Sequence, residues 1–180
     1  MSASIPGEPP ADLMLLRELQ SRGVLASAPM PIGEVRVLHD GEVHELVSQE
    51  YLTEEDRANP DTMANIRAVS DVMQHAAIVI DGFNGDAWGY WLHVSHPTEP
   101  PTVVKFDTEG EFMAFPGRGI VAAMIEDWAD WGEAEDELAT FREFLTGWGL
   151  ELPEIRGSDE VSGVDPGELH DELYERYRAG

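Results

Sequence analysis

Cysteine is absent from the chain, and lysine occurs once, at Lys105. Without cysteine there is no disulfide, no thiolate metal site and no cysteine nucleophile, a composition that fits a reducing compartment. Bases are scarce altogether: 11 Lys and Arg face 36 Asp and Glu, a formal net charge of -25. A surface this acidic repels nucleic-acid phosphate and anionic membranes; it suits a basic protein partner, or high solubility alone. Long apolar runs are missing too. Stretches such as Ala76–Ile80 fall far short of the roughly 20 residues that a bilayer-spanning helix needs. The opening residues, MSASIPGEPPADL, have neither the basic segment nor the apolar stretch of a secretory leader. These absences lead us to expect a cytoplasmic protein.

The 180 residues are 42% hydrophobic and include five tryptophans, enough to pack a core. We expect one domain over residues 1–155, with residues 1–10 flexible, followed by an acidic linker and a C-terminal helix over 156–180.

Turn residues and apolar periodicity outline the elements. Pro9 and Pro10 open a helix striped by Leu13, Leu16 and Leu19, and Gly23 stops it. Residues 35–47 read as a β-hairpin around Asp40-Gly41, a favoured two-residue turn. Thr53-Glu-Glu-Asp56 reads as the start of a short helical turn. Asn59-Pro60-Asp61 starts a helix running to about His75, with Met63, Ile66, Val69 and Met73 at helical spacing. Ile78–Ile80, Trp88–Val94, Val103–Phe106 and Glu111–Phe115 then read as strands. On the second, Trp88, Tyr90 and Leu92 share one face and Trp91 and His93 the other. Pro97–Pro101 must be a loop, since proline cannot join a ladder interior. The short connections imply an antiparallel meander. A helix over Ile120–Trp131 follows, then a second striped by Leu138, Phe141, Leu145 and Trp148, and a last one capped by Asp165-Pro166. The fold class is α+β: a central antiparallel sheet flanked by helices.

Chemistry-bearing patterns are degenerate. His93-x-x-His96 is a metal candidate only if the strand bends at Ser95, because positions i and i+3 face opposite sides. His39 and His44 flank the Asp-Gly turn and would need further partners to hold an ion. Asp81, Asp86 and Asp107 are turn carboxylates; Asp81 to Asp86 does not match the spacing of an EF-hand loop, a glycosidase-type acid and base among them stays open because the separation it needs is spatial, and aspartate starts turns for local reasons in any case. Pro116-Gly-Arg-Gly119 before a helix could take an anion on free N–H groups and Arg118, or could be a turn whose arginine pairs locally. No Gly-x-Ser-x-Gly occurs. Trp88, Trp91, Trp128, Trp131 and Trp148 are core by spacing, and any left exposed would mark an interface. Glu126, Asp127, Asp130, Glu133, Glu135, Asp136 and Glu137 form an acidic run with no base among them.

Ile80-Asp-Gly-Phe-Asn-Gly-Asp86, the aromatic strand Trp88–Val94, Thr102-Val-Val-Lys-Phe-Asp-Thr-Glu-Gly110 and the helix Ile120–Trp131 together resemble the SMI1/KNR4 (SUKH) superfamily over about residues 77–131. The resemblance implies an α+β fold of antiparallel sheet and flanking helices. It implies an immunity protein, or antitoxin, that binds a bacterial toxin, often a nuclease, and carries no catalytic residues. On it and on the charge we expect a non-enzymatic protein without cofactor or metal. Its basic protein partner would dock on Asp127, Asp130, Trp131, Glu133, Glu135 and Asp136. Two alternatives stand: a regulatory or scaffold protein of the same fold, and a small hydrolase or metal-binding enzyme using His93, His96 and the turn aspartates.

Overall fold

A computed structural model describes residue 5 and residues 7–49, 51–93, 101–130, 132–157, 160–161 and 163–179. The first helix, α1 (Ala11–Ser21), leads through 3-10 turns at Leu25–Ser27 and Ile32–Glu34 to a two-residue strand, β1 (Arg36–Val37). Two short helices follow, α2 (Glu45–Ser48) and α3 (Glu54–Ala58), then α4 (Pro60–Met73). The sheet continues with β2 (Ala76–Asp81), β3 (Ala87–Trp91), β4 (Val103–Phe106) and β5 (Phe112–Phe115). Helices α5 (Ile120–Trp128), α6 (Ala134–Gly147) and α7 (Pro166–Ala179) complete the chain.

The strands lie in the order β1-β2-β3-β4-β5, all neighbours antiparallel. This is the meander that the short connections imply. Alternation along the strands sends side chains to two buried faces. Ile80, Trp88, Tyr90 and Val103 pack with Leu13, Leu16 and Leu19 of α1, Ile120 to Ile125 of α5, and Phe141 and Leu145 of α6. Ala76, Ala87, Trp91, Val104 and Phe106 pack on the other face with Ala68, Val69, Val72 and Met73 of α4 and Leu173 of α7. The fold is α+β in three layers, helices on either side of the sheet. Burying both faces explains why every residue of β3 is inaccessible. Each large side chain so buried contributes about 1.5–3 kcal/mol.

Local chemistry sets the helix ends. Asn59 accepts from the N–H groups of Asp61 and Thr62, and Pro60 fills the first helical position of α4. Thr53 and Asp56 form a reciprocal capping box on α3. Helix α5 ends at Trp128 rather than running to residue 131, because Ala129 turns extended.

The expected hairpin over 35–47 does not form. Asp40-Gly41 does turn the chain, with Gly41 at φ 84° and the Glu42 N–H donating to the His39 carbonyl. The outgoing half, however, pairs with β2: Arg36 lies opposite Asp81 and Val37 opposite Ile80. The returning half is helical, with His44 capping α2. A long buried strand is a better template than a short exposed one, and helix α2 lets Leu46 and Val47 pack on the α4 side of the core.

The C-terminal segment is tied to this body. Leu169, Leu173, Tyr174 and Tyr177 pack in the α4-side core, His170 Nε2 lies 2.8 Å from Asn65 Oδ1, and the Tyr177 hydroxyl donates to Asp71. Among the described residues, no helix is long and apolar enough to cross a membrane.

Candidate functional site

Lys105 sits on β4 opposite Trp88 of β3, on the face that α5 covers. Its ammonium is held by two carboxylates: Asp127 Oδ2 of α5 at 2.8 Å and Asp86 Oδ2 of the β2–β3 connection at 3.2 Å. All three side chains are mostly shielded, 12% exposed for Lys105 and Asp86 and 17% for Asp127. The ammonium also lies 5.8 Å from the centre of the Trp88 ring, within cation–π range. Burial alone would lower the Lys105 pKa; the attraction of Asp127, then Asp86, outweighs it, and the net direction is upward. The ammonium therefore stays charged.

Above this triad opens a cleft of about 240 Å³ between the β2–β3 turn and the end of α5, walled by Phe83, Asn84, Trp88 and Trp128. The turn is tightly specified. A side chain at Gly82 would come within 2.6 Å of the Trp88 indole, and Asn84 takes a left-handed conformation at φ 65°.

The acidic run divides at this point. Asp127 points inward to Lys105, and Glu126 pairs with Arg118 at 2.7 Å. Asp130, Glu133, Glu135 and Asp136 are exposed, and among the described residues none of them is paired with a cation. Glu133 precedes α6, and Glu135, Asp136 and Glu137 occupy its first turn. Carboxylates there meet the positive end of the helix dipole, which offsets part of their mutual repulsion. Trp131 lies outside the described residues. Two other tryptophans reach the surface, Trp128 at 38% and Trp148 at 45% exposure, one at the end of α5 and one just past α6.

The turn aspartates do not converge. Asp81 pairs with Arg36 at 3.0 Å and faces His44 at 3.4 Å, Asp86 holds Lys105, and Asp107 accepts the N–H groups of Glu109 and Glu111 in its own turn. His93 packs edge-on against His75, ring centres 4.3 Å apart, and His96 lies outside the described residues. His44 is buried and accepts the Leu46 N–H on Nδ1. Burial lowers the pKa of His44, more than the Asp81 charge raises it. Among the described residues, no group of three or more His, Asp or Glu side chains is placed to hold a metal ion.

The possible anion site at Pro116–Gly119 is answered from within the chain. The carboxylate of Asp12 on α1 reaches the first turn of α5 and accepts the Val121 N–H at 3.4 Å. Arg118 pairs with Glu126. The positive helix end thus carries an internal anion. Sequence reading missed both this contact and the Lys105 clamp. Strand alternation from Val103 does place Lys105 on the Trp88 face, but no local pattern names the acids it meets.

No protein-family model, no curated protein and no solved structure matches the chain.

Proposed function

We propose that this is a protein-binding module, an immunity-type protein that neutralises a basic, nuclease-type toxin by direct contact. The observation that carries the reading is the set of exposed carboxylates Asp130, Glu133, Glu135 and Asp136 at the α5–α6 junction, paired with no cation among the described residues and flanked by exposed Trp128. Between Arg118 and Arg142 the sequence contains no base to neutralise them. Clustered exposed acids attract a basic surface over a distance, raise the encounter rate and reject acidic partners. Exposed tryptophan supplies the apolar anchor that charge alone lacks. The resemblance of residues 77–131 to SUKH proteins supports the same reading.

Two measurements test it together. Wild-type protein and an Asp130→Lys/Glu133→Lys variant are used as baits in extracts of the native host, and retained proteins are identified by mass spectrometry. A basic, toxin-like protein held by the wild type and lost from the variant is the expected result. Its toxicity in a heterologous host should be relieved by co-expression of the wild type. Retention of no basic protein, or no relief of toxicity, overturns the proposal.

A further inference from the structure

We propose that the cleft above Lys105 receives an arginine side chain of the basic partner. This rests on the reading of the acidic face as a docking surface, and it assigns that surface its anchor. The floor holds two carboxylates against one ammonium, so it is anionic even with Lys105 charged. Each carboxylate uses one oxygen, Oδ2, on Lys105, while its Oδ1 makes no hydrogen bond among the described residues. A carboxylate accepts on both oxygens, so the acceptors of Asp86 and Asp127 are not exhausted by Lys105. An anionic ligand meets a floor that is already negative. An apolar ligand would take water from the carboxylates without replacing it, which is unfavourable. A cation suffers neither penalty.

The walls favour guanidinium over ammonium. Trp128 and Phe83 line the cleft beside the carboxylates, with the buried Trp88 beneath them. A planar guanidinium can stack on such a ring and direct its fork of N–H donors at a carboxylate, whereas an ammonium is a compact, strongly hydrated point charge. The cleft also lies at the C-terminal end of α5, the negative end of that helix dipole.

Asp127 and Trp128 are the last two residues of α5, and Asp130 and Glu133 follow directly in the chain. The cleft thus ends on α5 where the chain enters the exposed acidic run. An aromatic pocket beside a charged rim is the arrangement in which one inserted side chain carries much of an interface's affinity.

The test titrates the full-length, ¹⁵N-labelled protein with Nα-acetyl-arginine amide, using Nα-acetyl-citrulline amide as the uncharged control of the same shape. The expected result is a shift of the Trp128 indole N–H and Asn84 side-chain amide signals by the arginine compound only. The dissociation constant should be on the order of millimolar, as suits one side chain without its protein. Trp128→Ala and Asp127→Asn should each weaken that response about tenfold or more; Trp128→Ala leaves the Lys105 triad intact and serves if Asp127→Asn perturbs folding. Equal response to citrulline amide, no response of the Trp128 indole or Asn84 amide in the wild type, or an undiminished response of the Asn84 amide in Trp128→Ala overturns the assignment. The titration needs no partner, so it can fail while the acidic edge still captures a basic protein, and it can succeed while that capture fails.

Discussion

The carboxylate of Asp12 accepts the backbone N–H of Val121, 109 residues away, so a side chain of the first helix caps the fifth. Gly119, which precedes α5, has no side chain to do this itself. A Cβ at position 119 would lie 2.5 Å from Asp12 Oδ2 and 3.0 Å from Ile155 Cβ. The missing cap and the foreign cap are one arrangement.

Removing that cap should therefore cost stability. Asp12→Ala leaves two backbone donors, of Leu13 and Val121, without their acceptor, a loss of about 1–2 kcal/mol. Gly119→Ala should lose at least as much through collision with Asp12. Burial raises the Asp12 pKa above 3.8, more than its backbone hydrogen bonds lower it. A raised folded-state value means the native state holds the proton longer. The part of stability that comes from this tighter proton binding is fully present below 3.8 and is lost as pH rises through the folded-state value, while the backbone hydrogen bonds to Asp12 remain. Asp12→Asn should flatten that part of the profile in urea unfolding measured across mildly acidic pH.

His44 should titrate in the opposite sense. Its folded-state pKa lies below the ordinary 6.5, chiefly through burial. The unfolded chain thus takes up the proton first, and stability falls as pH drops from 6.5 toward the folded value. His44→Gln should remove this decline. If denaturant midpoints of wild type and variant stay parallel through that window, His44 is not the titrating group.

Lys105 should matter for folding as well as for the cleft. Lys105→Met would leave Asp86 and Asp127 facing each other, both largely shielded from water. A loss of about 2–3 kcal/mol is expected, less than for a fully buried pair because the triad keeps some solvent contact. Adding Asp86→Asn and Asp127→Asn to the same chain should restore much of it. Thermal unfolding of the single and triple variants measures both effects.

The α7 segment should be indispensable to the sheet's second face. The Trp91 indole donates to the Val164 carbonyl at 2.8 Å, and Leu173 is buried against α4. Trp91→Phe should lose about 1 kcal/mol for the hydrogen bond together with part of the packing. Leu173→Ala should lose about 2–5 kcal/mol. Trp148→Ala, by contrast, removes a side chain that is 45% exposed, and should change stability by about 0.5 kcal/mol or less. Equilibrium unfolding of the three variants gives this order, and equal losses would contradict the packing described.

Local chemistry made most of the elements legible. Asn59-Pro60, Thr53–Asp56 and Asp165-Pro166 fix helix starts through hydrogen bonds within a few residues, and those starts are where the sequence places them. Alternation along Trp88–Trp91 correctly divides the two faces of β3, because side-chain direction in a strand is set by the backbone alone. With Asp-Gly at 40–41 the turn was readable too. Its strand partner was not, since pairing depends on which edge is free, and β2 offered a longer one.

What only the tertiary structure decided are the contacts between distant residues. Of the acidic run, Asp127 turns inward to the one lysine while Asp130, Glu133, Glu135 and Asp136 stay in water; the sequence shows all five alike. The anion at the α5 start is Asp12, and the turn aspartates go to separate partners. A charge finds its partner through the packing of whole helices on a sheet, at separations no local pattern spans. Composition determined that this chain is acidic and packs a core; the fold decided which acids remain free to meet another molecule.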